Sequence, residues 1–445
     1  MSTTTQVLKQ LRDHESRNVT FIDPDGSWPI VWDRARGVHV WDAEGRKYLD
    51  LTGAFGVAAA GHANPRVVRA GQRQMGKLLH AMGDVHPHAL KAQLARELSR
   101  LTFERWTRGK SKSNTATGKT IFCNSGFEAV EAALKTALLA TSKPGVIAFE
   151  KSYHGLGYGA LSVTHRDHFR RPFHPQLGKF CHFVSYPAAA RELDEMERAV
   201  RRLLKSKKIG AILVEPIQAR GGINVPPVQF LPRLRRLCHN HGALLIVDEI
   251  YTGFGRTGKW FACEHSRTVP DLICLGKALT GGFPLSACVG RAELMDAAWP
   301  ISEGEAIHTS TFLGHPVGCA MALAQIEEIR KQKLVPHSAQ LGEFLLRTLQ
   351  SRLSHPQLEI SIRGVGLMIG VELRLHGGVP ATMASLRFIK EMLQLGFILL
   401  PEGASANVIS FTPPLTITRS QLSTTVNALQ KCLDRDSRIS RRTRP

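Results

Sequence analysis

Residues 242–284 read GALLIVDEIYTGFGRTGKWFACEHSRTVPDLICLGKALTGGFP, and two apolar runs within this stretch decide the fold. The first run, residues 243–247, ends at Asp248, and the second, residues 272–275, comes just before Lys277. Short apolar runs of this kind predict buried strands, and open α/β sheets bind their ligands at the carboxyl ends of such strands. We therefore expect Asp248 and Lys277 to end neighbouring strands and to face one crevice.

This pair of residue types suits pyridoxal phosphate. A lysine amine holds that cofactor covalently, and the cofactor ring acts as an electron sink only while its pyridine nitrogen is protonated. A carboxylate beside the nitrogen favours the protonated form, and a lysine amine near cationic or apolar groups becomes a good nucleophile. Asp248 and Lys277 match these two roles. A strand-end Asp is also a common helix cap, and a Lys is commonly a solvated surface group, so the pair alone is a weak signal.

The sequence motifs around Asp248 and Lys277 make the signal more specific. VDEIYTGFGRTGKWFA (247–262) and PDLICLGKALTGGFPLSA (270–287) closely resemble the class III pyridoxal-phosphate aminotransferases of the ornithine and 4-aminobutyrate type, and further motifs extend the resemblance along nearly the whole chain. It implies an α/β protein of fold type I, with a large domain built on a mostly parallel seven-stranded sheet and a smaller α+β domain built from both termini. The expected bounds are 1–64 for the N-terminal segment of the small domain, 65–324 for the large cofactor-binding domain, 325–432 for the C-terminal small domain, and 433–445 for a basic, disordered tail.

The phosphate of the cofactor has a predicted site at residues 124–135, NSGFEAVEAALK. Ser125, Gly126 and the amide of Phe127 fall at the start of a predicted helix, where unpaired N–H groups and the helix dipole bind anions. The stretch resembles the family's phosphate loop NSGSEAVEAALK, with Phe127 where a small residue is usual. Backbone donation survives that change, whereas one hydroxyl contact is lost.

The same resemblance assigns most of the remaining cofactor contacts. It places Tyr153, in the Y-H-G motif, on the face of the pyridine ring and Glu215 beside the cofactor and the substrate amine. The family's ring-stacking aliphatic residue falls on Ile250. Its Gln that bonds the phenolate oxygen is replaced by Tyr251, a phenol that can donate the same bond.

Two further residues imply a homodimer. Ser310 and Thr311 match the family's Ser-Thr pair, which reaches the cofactor phosphate of the other subunit. The resemblance therefore implies active sites at the subunit interface of a homodimer.

Three positions bear on the substrate. Phe55 lies in a loop that lines the family's substrate mouth, although plain packing explains a Phe there equally well. Ornithine-like members carry, at the position of Ser410, an Arg that grips a substrate carboxylate, and a serine cannot make that bidentate bond. The Glu that pairs with the idle Arg is here Arg220. We expect either that Arg220 grips the carboxylate from the opposite wall or that the amino donor lacks an α-carboxylate; a plain ion pair is the alternative role.

The implied activity is transfer of an amino group from an ω-amino acid, diamine or amine to a 2-oxo acid such as 2-oxoglutarate or pyruvate. Lys277 would be the covalent partner and the general acid and base, and Asp248 would tune the electron sink. Epimerases, aminomutases and one type of decarboxylase share this scaffold and both residues, so these activities remain open. A basic nucleic-acid-binding protein on a decayed scaffold is the non-enzyme alternative.

The composition of the chain bears on its partners, its location and its metal content. The chain has 445 residues and a formal net charge of +21, part of it concentrated in residues 105–119, 201–208 and 434–445. These stretches lack aromatic interleaving, so we expect solvated loops and little nucleic-acid binding.

No apolar run approaches the roughly 18 to 20 residues that span a bilayer, and no secretory signal is visible, which favours the cytoplasm. Eight scattered cysteines predict free thiols, and the three histidines between residues 80 and 88 lack metal-site spacing, so no metal is expected.

Overall fold

The computed structural model describes residues 3–18, 28–108 and 116–442, with side chains described as far as residue 437. Residues 109–115 of the basic segment and the last three residues of the predicted tail lie outside the described residues. The strands are β1 (Trp32–Arg36), β2 (His39–Asp42), β3 (Lys47–Asp50), β4 (Gly118–Cys123), β5 (Gly145–Phe149), β6 (Cys181–Val184), β7 (Ile209–Val214), β8 (Leu244–Asp248), β9 (Leu272–Leu275), β10 (Ser286–Arg291), β11 (Leu358–Gly364), β12 (Ile369–Leu375), β13 (Phe397–Ile398), β14 (Leu400–Glu402) and β15 (Val408–Phe411). The α-helices are α1 (Thr4–His14), α2 (Gly53–Gly56), α3 (Pro65–Lys77), α4 (Ala89–Leu101), α5 (Phe103–Thr107), α6 (Gly126–Thr141), α7 (Tyr158–Val163), α8 (Asp167–Arg170), α9 (Leu193–Leu204), α10 (Phe230–His241), α11 (Ala292–Ala298), α12 (Pro316–Lys331), α13 (Leu334–Arg352), α14 (Thr382–Gln394) and α15 (Arg419–Arg442).

A seven-stranded sheet forms the centre of the molecule, in the order β4-β10-β9-β8-β7-β5-β6. Strand β10 runs antiparallel to both of its neighbours, and the other neighbouring pairs are parallel. Every residue of β7, β8 and β9 is buried, which explains why these strands read as continuous apolar runs without alternation. The mostly parallel seven-stranded sheet predicted from the resemblance is confirmed.

Adjacent strands of this sheet bring the two key residues together. Strands β8 and β9 are parallel neighbours, and Asp248, the last residue of β8, is in register with Cys274. Helix α10 ends at His241 and is capped by Gly242, whose φ of +59° is a left-handed conformation that a glycine adopts without strain, and the chain then enters β8. The carboxyl ends of β8 and β9 therefore open at the same edge of the sheet, as the sequence predicts.

Two four-stranded sheets lie outside the central one, in the orders β1-β2-β3-β13 and β11-β12-β15-β14. The parallel pairing of β3 with β13 joins an N-terminal strand to a C-terminal strand, so the smaller α+β part draws on both ends of the chain. Helix α15 runs to Arg442, which corrects the expectation of a disordered tail: residues 433–442 continue the helix. Apolar residues at helical spacing, buried at Leu422, Val426 and Leu429, anchor its first turns.

Among the described residues, none of the helices combines the length and apolar character that crossing a membrane requires. All eight cysteines are free thiols, seven of them buried, which confirms the prediction of unpaired cysteines.

Candidate active site

A cavity of about 400 Å³ lies at the carboxyl ends of the central strands. The predicted residues that line it are Gly126, Phe127, Tyr153, Glu215, Arg220, Asp248, Ile250, Tyr251 and Lys277. The side chains reach it from the ends of β7, β8 and β9, from the start of α6 and from the loop after β5. Residues predicted from motifs spread over 150 positions thus converge on one pocket at the edge where open α/β sheets bind ligands.

Asp248 is held by a histidine that the sequence analysis missed. Its Oδ2 lies 2.8 Å from Nδ1 of His154, and its Oδ1 accepts a hydrogen bond of 3.1 Å from the amide of Ile250. Both side chains are buried, and Nε2 of His154 has no hydrogen-bond partner among the described residues. The ring therefore fixes the orientation of the carboxylate. The signal was available, because a histidine in the Y-H-G motif follows the predicted stacking residue directly.

Lys277 sits on strained backbone. Its φ of +43° lies in the left-handed region, which costs a residue with a Cβ free energy and is commonly retained at functional sites. Its Nζ is 4.6 Å from the centroid of the Tyr251 ring. Burial lowers the pKa of the Lys277 amine, while the carboxylates of Asp248 and Glu215 oppose that shift. A lysine with a lowered pKa has a larger fraction of the neutral, nucleophilic amine at neutral pH.

The start of helix α6 closes the cavity on one side. Glu128 accepts hydrogen bonds from the amides of Asn124, at 2.6 Å, and Ser125, at 3.3 Å, and so fixes the turn before the helix. The hydroxyl oxygen of Ser125 is buried without a hydrogen-bond partner among the described residues. A Cβ on Gly126 would lie 3.1 Å from the Ile250 side chain. The turn therefore offers an unused hydroxyl and the free amides of a helix N-terminus.

Phe127, the departure from the family's phosphate loop, is accommodated by two glycines. A Cβ on Gly155 would lie 2.3 Å from the Cβ of Phe127, and a Cβ on Gly157 would lie 2.5 Å from its ring. Gly155 also has a φ of +115°, a conformation that side-chain-bearing residues rarely adopt. The glycines of the Y-H-G-x-G stretch make room for the aromatic ring, which stays 37% exposed at the cavity.

Glu215 and the backbone of Tyr153 are hydrogen-bonded to each other at the cavity wall. The carboxylate of Glu215 accepts hydrogen bonds from the amides of Tyr153, at 3.0 Å, and Ala219, at 3.1 Å. Burial raises the pKa of Glu215 to about 7, and the charge of Asp248 adds to this shift while His154 opposes it. Glu215 therefore gains or loses a proton near neutral pH inside the cavity.

Tyr251 presents its ring, and not its hydroxyl, to Lys277. The hydroxyl lies 3.2 Å from Oγ1 of Thr412, which itself donates a hydrogen bond of 3.0 Å to the carbonyl of Thr52. Since the Thr412 proton is used there, Tyr251 is the donor in its own contact. The predicted bond from Tyr251 to a cofactor oxygen stays a prediction that requires the phenol to change partner.

Arg220 forms an ion pair within the cavity wall. Its Nη1 lies 3.3 Å from Oε1 and 3.2 Å from Oε2 of Glu402, whose side chain is 2% exposed. Burial raises the pKa of Glu402 to about 7 despite the opposing charges of Arg220 and Lys277. The amide of Gly403 also donates to the carbonyl of Arg220, at 3.2 Å. Sequence reasoning missed Glu402 because it comes from β14, 182 positions away, with no local motif.

Five of the predicted residues are not among those that line the cavity in the single chain, and one of them, Ser125, lies directly beside it at the start of α6. Phe55 is 47% exposed, on the left-handed turn of Gly53–Gly56, although that turn contacts the Tyr251 ring. Ser410 is buried within β15, paired with Gly370 and Leu400. Ser310 and Thr311 lie on an exposed loop; the Ser310 hydroxyl accepts a 3.4 Å hydrogen bond from Asn124, next to the start of α6.

The cavity fits pyridoxal phosphate. The partnerless Ser125 hydroxyl and the free amides of α6 suit a phosphate group, the Tyr153 ring and the Ile250 side chain suit the two faces of an aromatic ring, and Asp248 suits a protonated ring nitrogen. Lys277 is the amine within reach of the same space. By contrast, the described residues contain no group of three or more His, Cys, Asp or Glu side chains arranged to hold a metal ion.

Comparison with known proteins places the chain among aminotransferases. The family model described as "Aminotransferase class-III" matches residues 22–433. The acetylornithine aminotransferase of Methanosarcina mazei is 37% identical over 91% of this chain and 92% of its own length, and the putrescine aminotransferase of Pectobacterium atrosepticum is 39% identical over 89% and 81%. A solved ornithine aminotransferase of Toxoplasma gondii, with partial occupancy of PLP at its active site, superimposes with a TM-score of 0.85 at 27% identity, covering 99% of this chain and 96% of that one.

Proposed function

The chain belongs to the class III aminotransferases and is a pyridoxal-phosphate-dependent enzyme, and we propose that the cavity at the ends of β8 and β9 is where it transfers amino groups. The observation that carries this proposal is the placement of Lys277 and Asp248 at neighbouring strand ends around one pocket, with His154 behind the carboxylate. The reaction moves an amino group from an ω-amino acid, diamine or amine to a 2-oxo acid.

The bound cofactor supplies an electron sink that stabilises negative charge on the donor carbon. Lys277, with its lowered pKa, would hold the cofactor covalently; once the donor's amine had displaced it, the freed Lys277 amine would take the proton from the donor carbon and return it during product formation. Asp248, oriented by His154, keeps the ring nitrogen protonated. Ser125 and the amides of Gly126 and Phe127 hold the phosphate.

Glu215 and Arg220 face the substrate side of the cavity. Glu215, with a pKa of about 7, accepts a hydrogen bond or a proton from the donor's amine. Arg220 binds a substrate carboxylate, because Ser410 cannot do so and lies within its strand. Both relatives compared above are named for donors that carry a second polar group beyond the reacting amine, acetylornithine and putrescine, in line with a donor of the ω-amino class.

We also propose that the active enzyme is a homodimer. Ser310 and Thr311 are exposed in the single chain, and the same loop carries Ile307 at 67% and Phe312 at 54% exposure. Apolar residues at this exposure favour burial against another chain, which would bring Ser310 and Thr311 to the partner's cavity. We propose in addition that the domain boundaries lie at residues 64, 324 and 432, as the resemblance implies. Sedimentation of the loaded enzyme at micromolar concentration tests the dimer, and a monomer would contradict it.

The visible absorption spectrum tests the proposed reaction. The purified enzyme should carry a long-wavelength band that bleaches when a single amine is added without any oxo acid, and the band should return on addition of a 2-oxo acid. A series of ω-amino acids, diamines and simple amines then identifies the donor class. Recovery of the band without an oxo acid would instead identify an epimerase or aminomutase, and absence of a band after incubation with pyridoxal phosphate would reject the proposal.

A further inference from the structure

The amine of Lys277 makes no hydrogen bond and no ion pair with any residue that the structure describes, although its side chain lines the cavity. Burial lowers the pKa of this amine, the carboxylates of Asp248, Glu215 and Glu402 oppose that shift, and the charge of Arg220 adds to it. None of the three carboxylates lies at ion-pair distance from Nζ. They therefore support the charged form of Lys277 only through space.

The amine instead lies over the face of the Tyr251 ring. Its Nζ is 4.6 Å from the ring centroid, inside the roughly 6 Å over which a cation is attracted to the electron-rich face of an aromatic ring. The ring is 8% exposed and packs in a small apolar cluster with Ile217, Ala219 and Met368, so the contact is shielded from water. Shielding strengthens this attraction, which favours the charged amine over the neutral one about twofold to thirtyfold.

The orientation of the Tyr251 ring is fixed from two directions. Its hydroxyl lies 3.2 Å from Oγ1 of Thr412, and the amide of Thr412 donates a 2.8 Å hydrogen bond to the carbonyl of Leu51. Gly56 packs so closely against the ring that a Cβ there would lie 3.1 Å from Cε1, and its φ of +79° also suits a glycine. These contacts hold the ring with its face toward Lys277.

The charge of Lys277 changes during proton transfer. When the freed, neutral amine takes the proton of the donor carbon, the C–H bond breaks, its electron pair passes into the electron sink of the cofactor, and a new N–H bond leaves Lys277 as an ammonium group. The return of that proton restores the neutral amine. A group that stabilises the ammonium form therefore acts at the proton-transfer step. The resemblance assigns a Gln to position 251, and an amide side chain has no such aromatic face.

Building on the proposed function, we propose that Tyr251 is a positioning residue for proton transfer, whose ring, and not its hydroxyl, holds and stabilises the Lys277 amine while that amine carries the donor's proton. The role implied by the resemblance is different, because there the side chain donates a hydrogen bond to a cofactor oxygen. Substitutions separate the two roles. Tyr251→Phe keeps the ring without the hydroxyl, Tyr251→Gln keeps a hydrogen-bond donor without the ring, and Tyr251→Leu keeps an apolar side chain without either.

The pH at which the chain captures its cofactor tests the contact without any turnover. Only the neutral amine of Lys277 attacks pyridoxal phosphate, so the rate at which cofactor-free, full-length protein develops the visible band rises with pH, and its midpoint reports the pKa of that amine. The midpoint should fall by about 0.4–1.5 in Tyr251→Leu and Tyr251→Gln, which lose the ring, and should stay within about 0.3 in Tyr251→Phe. Pyridoxal phosphate titrates identically in all four proteins, and a midpoint does not depend on the folded fraction.

A single turnover with one amine gives the second readout. The amine is deuterated at its reacting carbon so that proton transfer limits the rate at which the visible band bleaches. This rate should fall about twofold to thirtyfold in Tyr251→Leu and Tyr251→Gln, and it should stay within about twofold of the wild-type value in Tyr251→Phe. Tyr251→Phe is the matched control, because it loses the bond to Thr412 but keeps the ring against Gly56.

The opposite ranking of the variants would overturn the inference. Normal values in Tyr251→Gln together with a loss in Tyr251→Phe would assign the role to the hydroxyl. Equal midpoints in all four proteins, or an equal slowing in all three variants, would overturn the inference as well. Cofactor capture is measured without a donor, so its outcome concerns Tyr251 alone, whereas a visible band that does not respond to any amine rejects the proposed function itself.

Discussion

Replacing Arg220 by alanine is expected to impair both carboxylate binding and stability, and the two effects can be separated. Loss of a charged hydrogen bond costs about 1.5–3 kcal/mol, so kcat/KM for the oxo acid should fall about tenfold to a hundredfold. The half-reaction with an amine that has no carboxylate should change less than about twofold, because such a donor makes no bond to the guanidinium.

The stability effect comes from Glu402, which loses its partner in Arg220→Ala. Breaking a fully buried ion pair costs about 3–5 kcal/mol, and because the Arg220 side chain is 25% exposed we expect about 1–3 kcal/mol. The pKa of Glu402 is already raised to about 7, so its folded state favours the protonated form. Stability is therefore greatest below the ordinary pKa of Glu and is lost as the pH rises through 7, and the destabilisation should be larger at pH 8 than at pH 6.

The assay is urea denaturation of the loaded enzyme at both pH values, combined with steady-state kinetics. The double variant Arg220→Ala, Glu402→Gln removes the stranded acid and should recover most of the lost stability without recovering carboxylate binding. Unchanged KM for both the amino donor and the oxo acid in Arg220→Ala would refute the binding role. A stability loss of the same size at pH 6 and pH 8 would refute the electrostatic account of Glu402.

Three further predictions concern single residues. In the wild type, KM for the oxo acid should rise as the pH increases through 7, because ionised Glu402 offsets the positive charge of Arg220, and in Glu402→Gln this dependence should disappear; a pH profile that is the same in both would contradict it. Asp248→Asn should keep the visible band but lose about a hundredfold to a thousandfold in kcat, the range for removing an oriented electrostatic group, and near-normal kcat would exclude its role. Gly155→Ala should destabilise the protein by about 1–3 kcal/mol in urea denaturation, because the added Cβ would meet Phe127 at 2.3 Å on backbone with a φ of +115°; a neutral effect would mean that this turn relaxes freely.

The central pairing could be predicted from sequence because its two strands have a clear local pattern and because the resemblance to the class III aminotransferases supported the role of the pair. Two apolar runs that end in Asp248 and Lys277 predict two buried strands, and neighbouring parallel strands bring their ends together without further information. The start of α6 is equally local, since a turn that precedes a helical pattern marks the place where unpaired amides are exposed.

The rest of the site depends on contacts between distant parts of the chain. Glu402 reaches Arg220 from β14 in the smaller part of the protein, and the hydroxyl of Tyr251 turns to Thr412 in the loop after β15. No spacing within either segment predicts such a contact, because the approach of the two sheets is fixed by tertiary packing. The sequence therefore identified the missing arginine at Ser410 but not the acid that pairs with Arg220.

The C-terminal end of helix α15 was mispredicted for another reason. Basic residues predict a solvated tail, but a helix that is already anchored by apolar residues at Leu422 and Val426 can continue into solvent, and no Gly or Pro interrupts it before residue 445. Charge composition alone therefore underestimated the length of α15.

The most direct test of the central claim is the identity of the lysine that holds the cofactor. The purified enzyme, loaded with pyridoxal phosphate, is reduced with borohydride, digested, and analysed by mass spectrometry. We predict that the cofactor-derived mass is found on the peptide that contains Lys277, and that Lys277→Ala shows neither this modified peptide nor the visible band. A reduced cofactor on another lysine, or a wild-type band that survives in Lys277→Ala, would contradict the account.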